Sequence, residues 1–435
     1  MSIRLVVMGQ EAFLHFIWKK RLFDPHHLKT TCGKSVEILR TGELNMHAGP
    51  DFFNARIKID GIVWAGNVEI HVHSSDWIRH GHHLDPAFNN VVLHVVREHD
   101  CDVTNYLQRR IPVLVLRYPP GLESRYRLLK ISDRWLPCGQ FMRHIPPPQV
   151  RQWLTHLQKE RVTDKSGRIL KIYQRNGQDW QQTFYRILAS GYGLPINSLP
   201  FEMTAASIPL EMLMELRESL IDLEAILYGQ AGFPGSAGHK SPYLTMLREK
   251  HRALAEYVSG EAVPGHLWKF LRLRPASFPT VRISQFASLV HRHFPMLDMV
   301  QSCQSVTELE QILRTGASEY WNTHYLFGKS SPGSVKYLGQ QASGTLIINT
   351  IVPFLSIYGK VQRRKNTLEF VHGILEGMKA ESNEIIREWK NYGFTPSSAM
   401  ESQALIQLRK KYCRQRRCLE CQIGALFLES ALMER

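Results

Sequence analysis

Three residues of the N-terminal region, Asp51, Glu69 and His71, have types and spacing that suit metal-assisted hydrolysis. Asp60-Gly61 is a turn signal between two segments that alternate apolar and polar residues, so these segments predict a β-hairpin. Pairing across the hairpin returns Asp51 to the level of Glu69. Two carboxylates at one end of a hairpin bind a hard divalent cation such as Mg²⁺ or Mn²⁺ and leave positions for water and phosphate oxygens.

The hairpin must be irregular if the two carboxylates are to meet. Strict pairing places Asp51 on the apolar face and Glu69 on the opposite face, because side chains alternate along a strand. We therefore expect a bulge or bend between Asp51 and Ala55, which Pro50 favours. The alternative is that the polar residues of the second strand only form a solvated sheet face: Asn67, Glu69, His71 and His73.

The segment after the hairpin is rich in histidine. It provides a second candidate metal site, with ligands drawn from His80, His82, His83 and Asp85. The alternative is an exposed loop whose histidines are hydrogen-bonded. His94 lies in the apolar strand pattern VVLHVV and is interpreted as a core histidine.

Three cysteines near the C-terminus, Cys413, Cys418 and Cys421, have C-x4-C-x2-C spacing. A C-x2-C pair on a turn directs two thiolates at one centre, and four ligands complete a Zn²⁺ site or hold an iron–sulfur cluster. Cys138 is the candidate fourth ligand. Three other cysteines compete with it: Cys32, Cys101 and Cys303. The alternative is a set of unrelated thiols.

The chain is strongly basic. It has 54 Lys and Arg residues against 39 Asp and Glu, a formal net charge of +15, which favours a polyanionic partner such as nucleic acid. Six cations overlap the cysteine motif and are candidate phosphate contacts: Arg409, Lys410, Lys411, Arg414, Arg416 and Arg417. A second basic run, KVQRRK, covers 360–365. The alternative for each run is a solvated helix face.

The elements that position these residues divide the 435-residue chain into two regions. Before the boundary at IPPP (145–148), strands alternate with two helices, predicted at 11–20 and 76–89. The strands are predicted at 36–40, 55–59, 62–73, 90–98 and 111–117. We therefore expect an α+β domain over 1–144, with a mixed sheet and flanking helices.

The second region, 145–435, is predicted to be mostly α-helical and to carry the C-terminal cysteine motif. Its helices are predicted at 150–162, 179–190, 210–230, 241–258, 281–292, 306–314, 345–357, 367–380 and 399–412. The Gly-rich segment 231–240 is predicted to be a loop.

Composition argues against a membrane or secreted protein. The sequence has no run of 18 apolar residues and no signal-peptide pattern, so no membrane span is expected. Seven cysteines, an odd number in a long chain, favour a reducing cytoplasmic location over a disulfide framework. The oligomeric state is left open.

Asp51, Glu69 and His71 resemble the motif of the PD-(D/E)XK phosphodiesterase superfamily, which includes restriction-type and repair nucleases. The core of that superfamily runs helix, three strands, helix, strand, as the predicted elements do. The resemblance implies that Asp51 and Glu69 ligate the metal and that His71, at the usual lysine position, polarises the attacking water or stabilises the phosphorane. It also implies an acidic role for Glu11 on the first helix.

Motifs along nearly the whole chain resemble a bacterial family, domain of unknown function 2851. These motifs are LHFIWKKRLF, LNMHAGPDFFNARIKIDG, GNVEIHVHSSDWIRHGHHLD, NVVLHVV, RPASFPTVRISQ, SQALIQLRKKYC and RRCLECQIGALFL. Mild departures occur at Ser277 and at Met400-Glu401, away from the proposed metal ligands.

The leading functional hypothesis is a divalent-metal-dependent nuclease acting on DNA or RNA. The first alternative is a non-catalytic nucleic-acid-binding or scaffold protein with a degenerate nuclease core. The second alternative is a metallohydrolase of another kind that uses the loop between His80 and Asp85.

Overall fold

The computed structural model describes residues 3–193, 195–233, 241–258 and 260–432. The chain forms two compact units, the first from Met1–Val150 and Arg409–Arg435 and the second from Arg151–Leu408. The sequence analysis drew one boundary at 144/145 and assigned everything after it to the helical region. The structure instead gives the segment from Arg409 onward to the first unit.

A six-stranded mixed sheet forms the centre of the first unit. Its strands are β1 (Val36–Arg40), β2 (Glu43–Leu44), β3 (Phe52–Ile59), β4 (Ile62–His73), β5 (Val91–Glu98) and β6 (Val113–Val115). The order is β1-β3-β4-β5-β6, and β2 pairs with β3. β1, β3 and β4 are antiparallel neighbours, whereas β5 runs parallel to both β4 and β6. The predicted α+β class is confirmed.

Helices of the first unit are α1 (Ile3–Lys20), α2 (Asp76–Arg79), α3 (Pro120–Ile131) and the C-terminal helix Gln422–Glu429. The single helix predicted over 76–89 is wrong in extent. α2 ends at Arg79, and two 3₁₀ turns follow, His82–Leu84 and Pro86–Phe88. Gly81, at φ +78°, separates α2 from the first turn in a left-handed conformation that ends a helix.

Within its described residues, the second unit is helical apart from a short hairpin, His324–Leu326 with Lys329–Ser330. Its helices, with the one that leads into it, are Pro147–Arg175, Trp180–Tyr192, Ser198–Ala206, Leu210–Leu216, Leu220–Gln230, Pro242–Leu254, Pro279–His293, Met296–Ser302, Val306–Leu313, Gln340–Leu346, Val352–Val361, Lys365–Gly377, Glu384–Asn391 and Ala399–Gln407. The predicted helix 210–230 is two helices, because Ser219 accepts the Asp222 N–H and caps the second. Most of the predicted loop 231–240 lies outside the described residues.

One helical stretch in the described residues, Gln340–Val361, is long and apolar enough to cross a membrane by length and composition. About 72% of its apolar window is buried inside the protein. Phe354 and Ile351 on this stretch belong to the hydrophobic core of the second unit. Such burial is what the core helix of a globular unit shows.

Candidate metal centre

A β-bulge brings Asp51 and Glu69 to the same level of the sheet. Ala55 pairs with Gly66 as the turn predicts, but Phe52 pairs with Val68, so the register shifts by one residue between Phe52 and Ala55. The predicted bulge is therefore confirmed. Asn54 lies within it at φ +57°, a left-handed conformation that asparagine tolerates better than most residues.

Two hydrogen bonds hold the carboxylates together at this level. The Asp51 N–H donates to Glu69 Oε2 at 3.0 Å, and the Ile70 N–H donates to Asp51 Oδ2 at 2.9 Å. Each carboxylate is thus fixed by the backbone of the other residue's strand, so the two acidic groups are neighbours. The structure brings together the pair that the sequence analysis selected.

His71 projects from β4 near the end of the strand and is only 2% exposed. Its Nδ1 lies 2.9 Å from His94 Nε2, and its Nε2 lies 3.1 Å from His80 Nδ1 and 3.5 Å from Glu69 Oε1. Burial and the neighbouring imidazoles, His94 first among them, hold the pKa of His71 well below its usual value. His71 is therefore neutral at pH 7 and does not supply the positive charge of a lysine.

The loop after α2 adds two more imidazoles to this group. The ligand nitrogens of His71, His80 and His82 all lie within 4.8 Å of one another. His82 Nε2 also lies 3.1 Å from Glu69 Oε1. The first candidate site and the histidine-rich loop therefore form one cluster of three imidazoles and a carboxylate.

Two other residues of that loop do not join the cluster. Asp85 accepts the Ala87 N–H and caps the following 3₁₀ turn. His83 is not among the clustered imidazoles of the described residues. Of the four loop residues proposed from the sequence as metal ligands, His80 and His82 lie in the cluster with His71.

α1 contributes two further groups to the same place. His15 Nε2 lies 3.1 Å from Asp51 Oδ2. Burial lowers the pKa of His15, but the contact with Asp51 and the nearby carboxylates outweigh it, and the net pKa is raised. Burial and the charges of Asp76 and Asp51 raise the pKa of Glu11. His15 was not predicted from the sequence, although its position four residues after Glu11, on the same helix face, indicates that the two side chains are neighbours.

The cluster is an unusual concentration of buried polar groups. Glu69 is 4% exposed, and its burial, together with the charge of Asp51, raises the pKa of its carboxyl to about 9. Glu11 Oε1 is buried without a hydrogen-bond partner in the described protein, and the contact of His82 Nε2 with Glu69 lacks hydrogen-bond geometry. Buried polar atoms are normally paired, so converging lone pairs of this kind suit a bound cation.

His73, the last residue of β4, stands apart from this cluster. Its ring nitrogens lie 3.8 Å from Asp76 Oδ2 and 3.6 Å from Glu98 Oε2, and the side chain is half-buried. It therefore flanks the centre without joining it.

The C-terminal segment packs on the residues around Cys138. The rings of Phe141 and Phe427 are 5.4 Å apart, and the Arg125 guanidinium donates to the Phe427 carbonyl at 2.9 Å. Burial raises the pKa of Cys413, and the thiols of Cys421 and Cys138 raise it further. All seven cysteines are free thiols, and the competitors Cys32, Cys101 and Cys303 interact with other residues.

Three of the six C-terminal cations are used within the first unit. Arg409 donates to the Trp135 carbonyl at 2.7 Å, Arg416 donates to the Ser132 carbonyl, and Arg417 pairs with Glu420. Lys410 and Arg414 are exposed. The part of this run that is open to a nucleic acid is therefore smaller than the sequence suggests.

Comparison with known proteins places the sequence in a family. No curated protein and no solved structure matches it significantly. The model of a family described as Protein of unknown function (DUF2851) matches residues 11–384, which include every residue of the candidate metal centre. The chain therefore belongs to the DUF2851 family.

Proposed function

We propose that the first unit is a divalent-metal-dependent phosphodiesterase that acts on nucleic acid. The observation that carries this proposal is the convergence of Asp51 and Glu69 beside three clustered imidazoles. Two neighbouring carboxylates are a common way to hold a cation that polarises a phosphoryl oxygen and lowers the pKa of a bound water.

The ligands proposed for this cation are Asp51, Glu69, His71 and His82. Mg²⁺ prefers an all-oxygen shell, whereas imidazole nitrogens suit Zn²⁺, Fe²⁺ and Ni²⁺, and Mn²⁺ is typical of oxygen-rich sites. The two imidazoles therefore favour a transition ion over Mg²⁺, and Mn²⁺ is the transition ion that also suits the two carboxylates. His94, bonded to the far nitrogen of His71, would fix the tautomer of that ligand.

The order of elements supports the kind of reaction proposed. With the two-residue strand β2 left aside, α1, β1, β3, β4, α2 and β5 run as helix, three antiparallel strands, helix and a parallel strand. This order resembles that of the PD-(D/E)XK core. His71 stands where that superfamily usually has lysine. Because His71 is neutral and buried, it is better suited to act as a metal ligand than to replace a lysine.

Charge supports a nucleic-acid substrate. The net charge of +15 attracts a polyanion, and Lys410 and Arg414 leave exposed cations on the first unit. These features favour nucleic acid as the source of the phosphodiester without distinguishing DNA from RNA.

The test is cleavage of single-stranded DNA, duplex DNA and RNA by the purified protein in Mn²⁺, Mg²⁺ or EDTA. Asp51→Asn and Glu69→Gln are expected to reduce cleavage at least about a hundredfold, because each removes a ligand charge. Glu37→Gln is the matched control, since Glu37 is an exposed carboxylate on β1 of the same sheet. Activity that survives Asp51→Asn, or that falls equally in the control, contradicts the proposal.

The same experiment separates the alternative functions. Binding that persists in EDTA, without cleavage in either metal, favours a non-catalytic nucleic-acid-binding protein. Metal analysis of Asp51→Ala and His82→Ala addresses a metallohydrolase that uses the histidine loop alone. In that case His82→Ala loses the metal and Asp51→Ala keeps it, whereas the proposed shared centre loses metal in both.

A further inference from the structure

We propose that Cys138, Cys413, Cys418 and Cys421 together hold an iron–sulfur cluster that joins the C-terminal segment to the rest of the first unit. This centre is separate from the carboxylate and imidazole cluster. It does not depend on the proposed hydrolytic function.

Local structure places Cys138 where the C-terminal segment arrives. The Phe141 and Met142 N–H groups both approach the Cys138 carbonyl, at 3.0 and 3.3 Å, so Cys138 begins a tight turn. Phe141, three residues later, packs against Phe427. The turn therefore lies beside the helix that follows Cys421.

Glycine makes the Cys418–Cys421 turn compact. The Cys421 N–H donates to the Cys418 carbonyl at 3.3 Å, and Cys421 is the N-cap residue of the C-terminal helix. A Cβ at Gly424 would lie 2.2 Å from the Cys418 carbonyl oxygen, so only glycine lets the turn fold back on this helix. Both thiols consequently belong to one short, fixed turn.

The four thiols share one environment. Cys138, Cys413 and Cys421 are buried, Cys418 is half-buried, and all four are unoxidised. Arg409 donates to the Trp135 carbonyl and Arg416 donates to the Ser132 carbonyl, so the segment with Cys413 lies along the segment that leads to Cys138. Four of the seven cysteines in the chain are therefore brought to one part of the first unit from distant sequence positions, which unrelated structural thiols do not require.

Cations lie near two of these thiols. Burial raises the pKa of Cys413 and of Cys418, and the charge of Arg409 on the first and the charges of Arg416 and Lys130 on the second oppose that rise. A thiolate-bound cluster carries net negative charge, and neighbouring cations stabilise it. Part of the C-terminal basic run would therefore stabilise the cluster instead of binding phosphate. This role agrees with the hydrogen bonds that Arg409 and Arg416 donate to backbone carbonyls of the first unit.

The cysteine spacing favours a cluster over a single zinc ion. C-x4-C-x2-C with one remote cysteine is a known ligand spacing of iron–sulfur proteins.

The test is the metal content of the protein purified without oxygen from iron-supplemented cells. Wild type is expected to contain iron and acid-labile sulfide and to show sulfur-to-iron charge-transfer absorption. Cys138→Ser and Cys418→Ser are expected to lower both contents at least about tenfold, because each removes one of four ligands. Cys303→Ser, a buried free cysteine of the second unit, is the matched control and should keep the wild-type content.

A measurement on wild type keeps the test valid if a variant fails to fold. Oxidative removal of the cluster, followed by reduction and thiol labelling under native conditions, should make Cys413 and Cys421 more reactive than in the untreated protein. The proposal is overturned if the protein contains one equivalent of zinc and no iron, or if Cys138→Ser retains the wild-type iron content. It is also overturned if wild type contains no iron both after anaerobic purification and after reconstitution with iron and sulfide.

Discussion

Replacing Glu69 by glutamine is predicted to stabilise the first unit in the absence of divalent cations and to abolish its stabilisation by Mn²⁺. Glutamine keeps the volume of the side chain and an oxygen that accepts the Asp51 N–H. It removes a carboxyl group that lies almost entirely out of contact with solvent. The variant therefore isolates the effect of one ionisable group.

The magnitude follows from the pKa of Glu69, which burial and then the charge of Asp51 raise from 4.5 to about 9. At pH 7 the metal-free folded unit keeps this carboxyl protonated, whereas the unfolded chain ionises it. Each pH unit between the unfolded pKa of 4.5 and pH 7 lowers the free energy of unfolding by about 1.4 kcal/mol. Protonation of Glu69 in the folded state therefore lowers the free energy of unfolding at pH 7 by about 3 kcal/mol.

The sign of the pH dependence follows from the same values. Because the folded pKa lies above the unfolded one, the contribution of Glu69 to stability is fully present below pH 4.5 and is lost as the pH rises toward 9. The glutamine variant does not titrate at this position. Its advantage over wild type in EDTA should therefore grow from about pH 5 to about pH 8.

Hydrogen exchange measured by mass spectrometry on peptides from β4, Ile62–His73, reports this stability locally. About 3 kcal/mol corresponds to about a hundredfold slower exchange in the variant when opening of the whole unit limits exchange. Peptides from Pro279–His293 in the second unit, and the variant Glu37→Gln, should show no change. Mn²⁺ at about a hundred times its Kd should add about 2.7 kcal/mol to wild type alone.

Two results would refute this reasoning. The first is a glutamine variant that exchanges faster than wild type in EDTA, which would mean that the ionised carboxyl stabilises the metal-free fold. The second is equal stabilisation of both proteins by Mn²⁺, which would exclude Glu69 as a ligand.

Three further changes test the groups that support the centre. His94→Ala should weaken Mn²⁺ binding about 10- to 100-fold in calorimetry, because His94 orients His71 through its far nitrogen; a change within about twofold would contradict this role. Asn54→Val should destabilise the bulge by about 1–2 kcal/mol because of its positive φ, whereas Asn54→Gly should not, as measured by denaturant unfolding. Gly66→Ala should lower the free energy of unfolding by about 1–3 kcal/mol in the same assay, because the added Cβ would lie 2.4 Å from Val92 Cγ1. An unchanged unfolding midpoint would contradict this, because it would show that β5 moves aside at little energetic cost.

Local sequence signals were sufficient for the hairpin that carries the carboxylates. Asp60-Gly61 defines the turn, and alternation defines both strands, so the pairing of Ala55 with Gly66 could be predicted. The bulge could also be predicted, because Asp51 could reach Glu69 in no other way. These features depend on residues that are close in sequence.

Features that depend on distant packing were not predictable. The pattern of polar residues on β4 is equally typical of a solvated sheet face. The burial of that face depends on how the loop that carries His82 covers it. His15 reaches Asp51 only because α1 packs where it does. A regular helix over 76–89 agreed with the composition, but Gly81 redirects the chain and presents His82 to Glu69.

The order of the two units along the chain gives the C-terminal segment a specific physical role. The first unit is interrupted by Arg151–Leu408 and is completed only when the segment from Arg409 returns. The return of the chain at Arg409 closes a long loop, and the entropic cost of loop closure grows only with the logarithm of loop length. Folding of the second unit shortens the flexible part of this loop. The contacts Arg409–Trp135 and Arg125–Phe427 that oppose this cost are hydrogen bonds at partly exposed sites, each contributing about 1 kcal/mol. A metal centre bound by cysteines from both sides would add its binding free energy to the closure, since metal binding to a site that exists only in the folded state is folding free energy. Loss of the cluster should therefore weaken attachment of the C-terminal segment more than removal of either hydrogen bond.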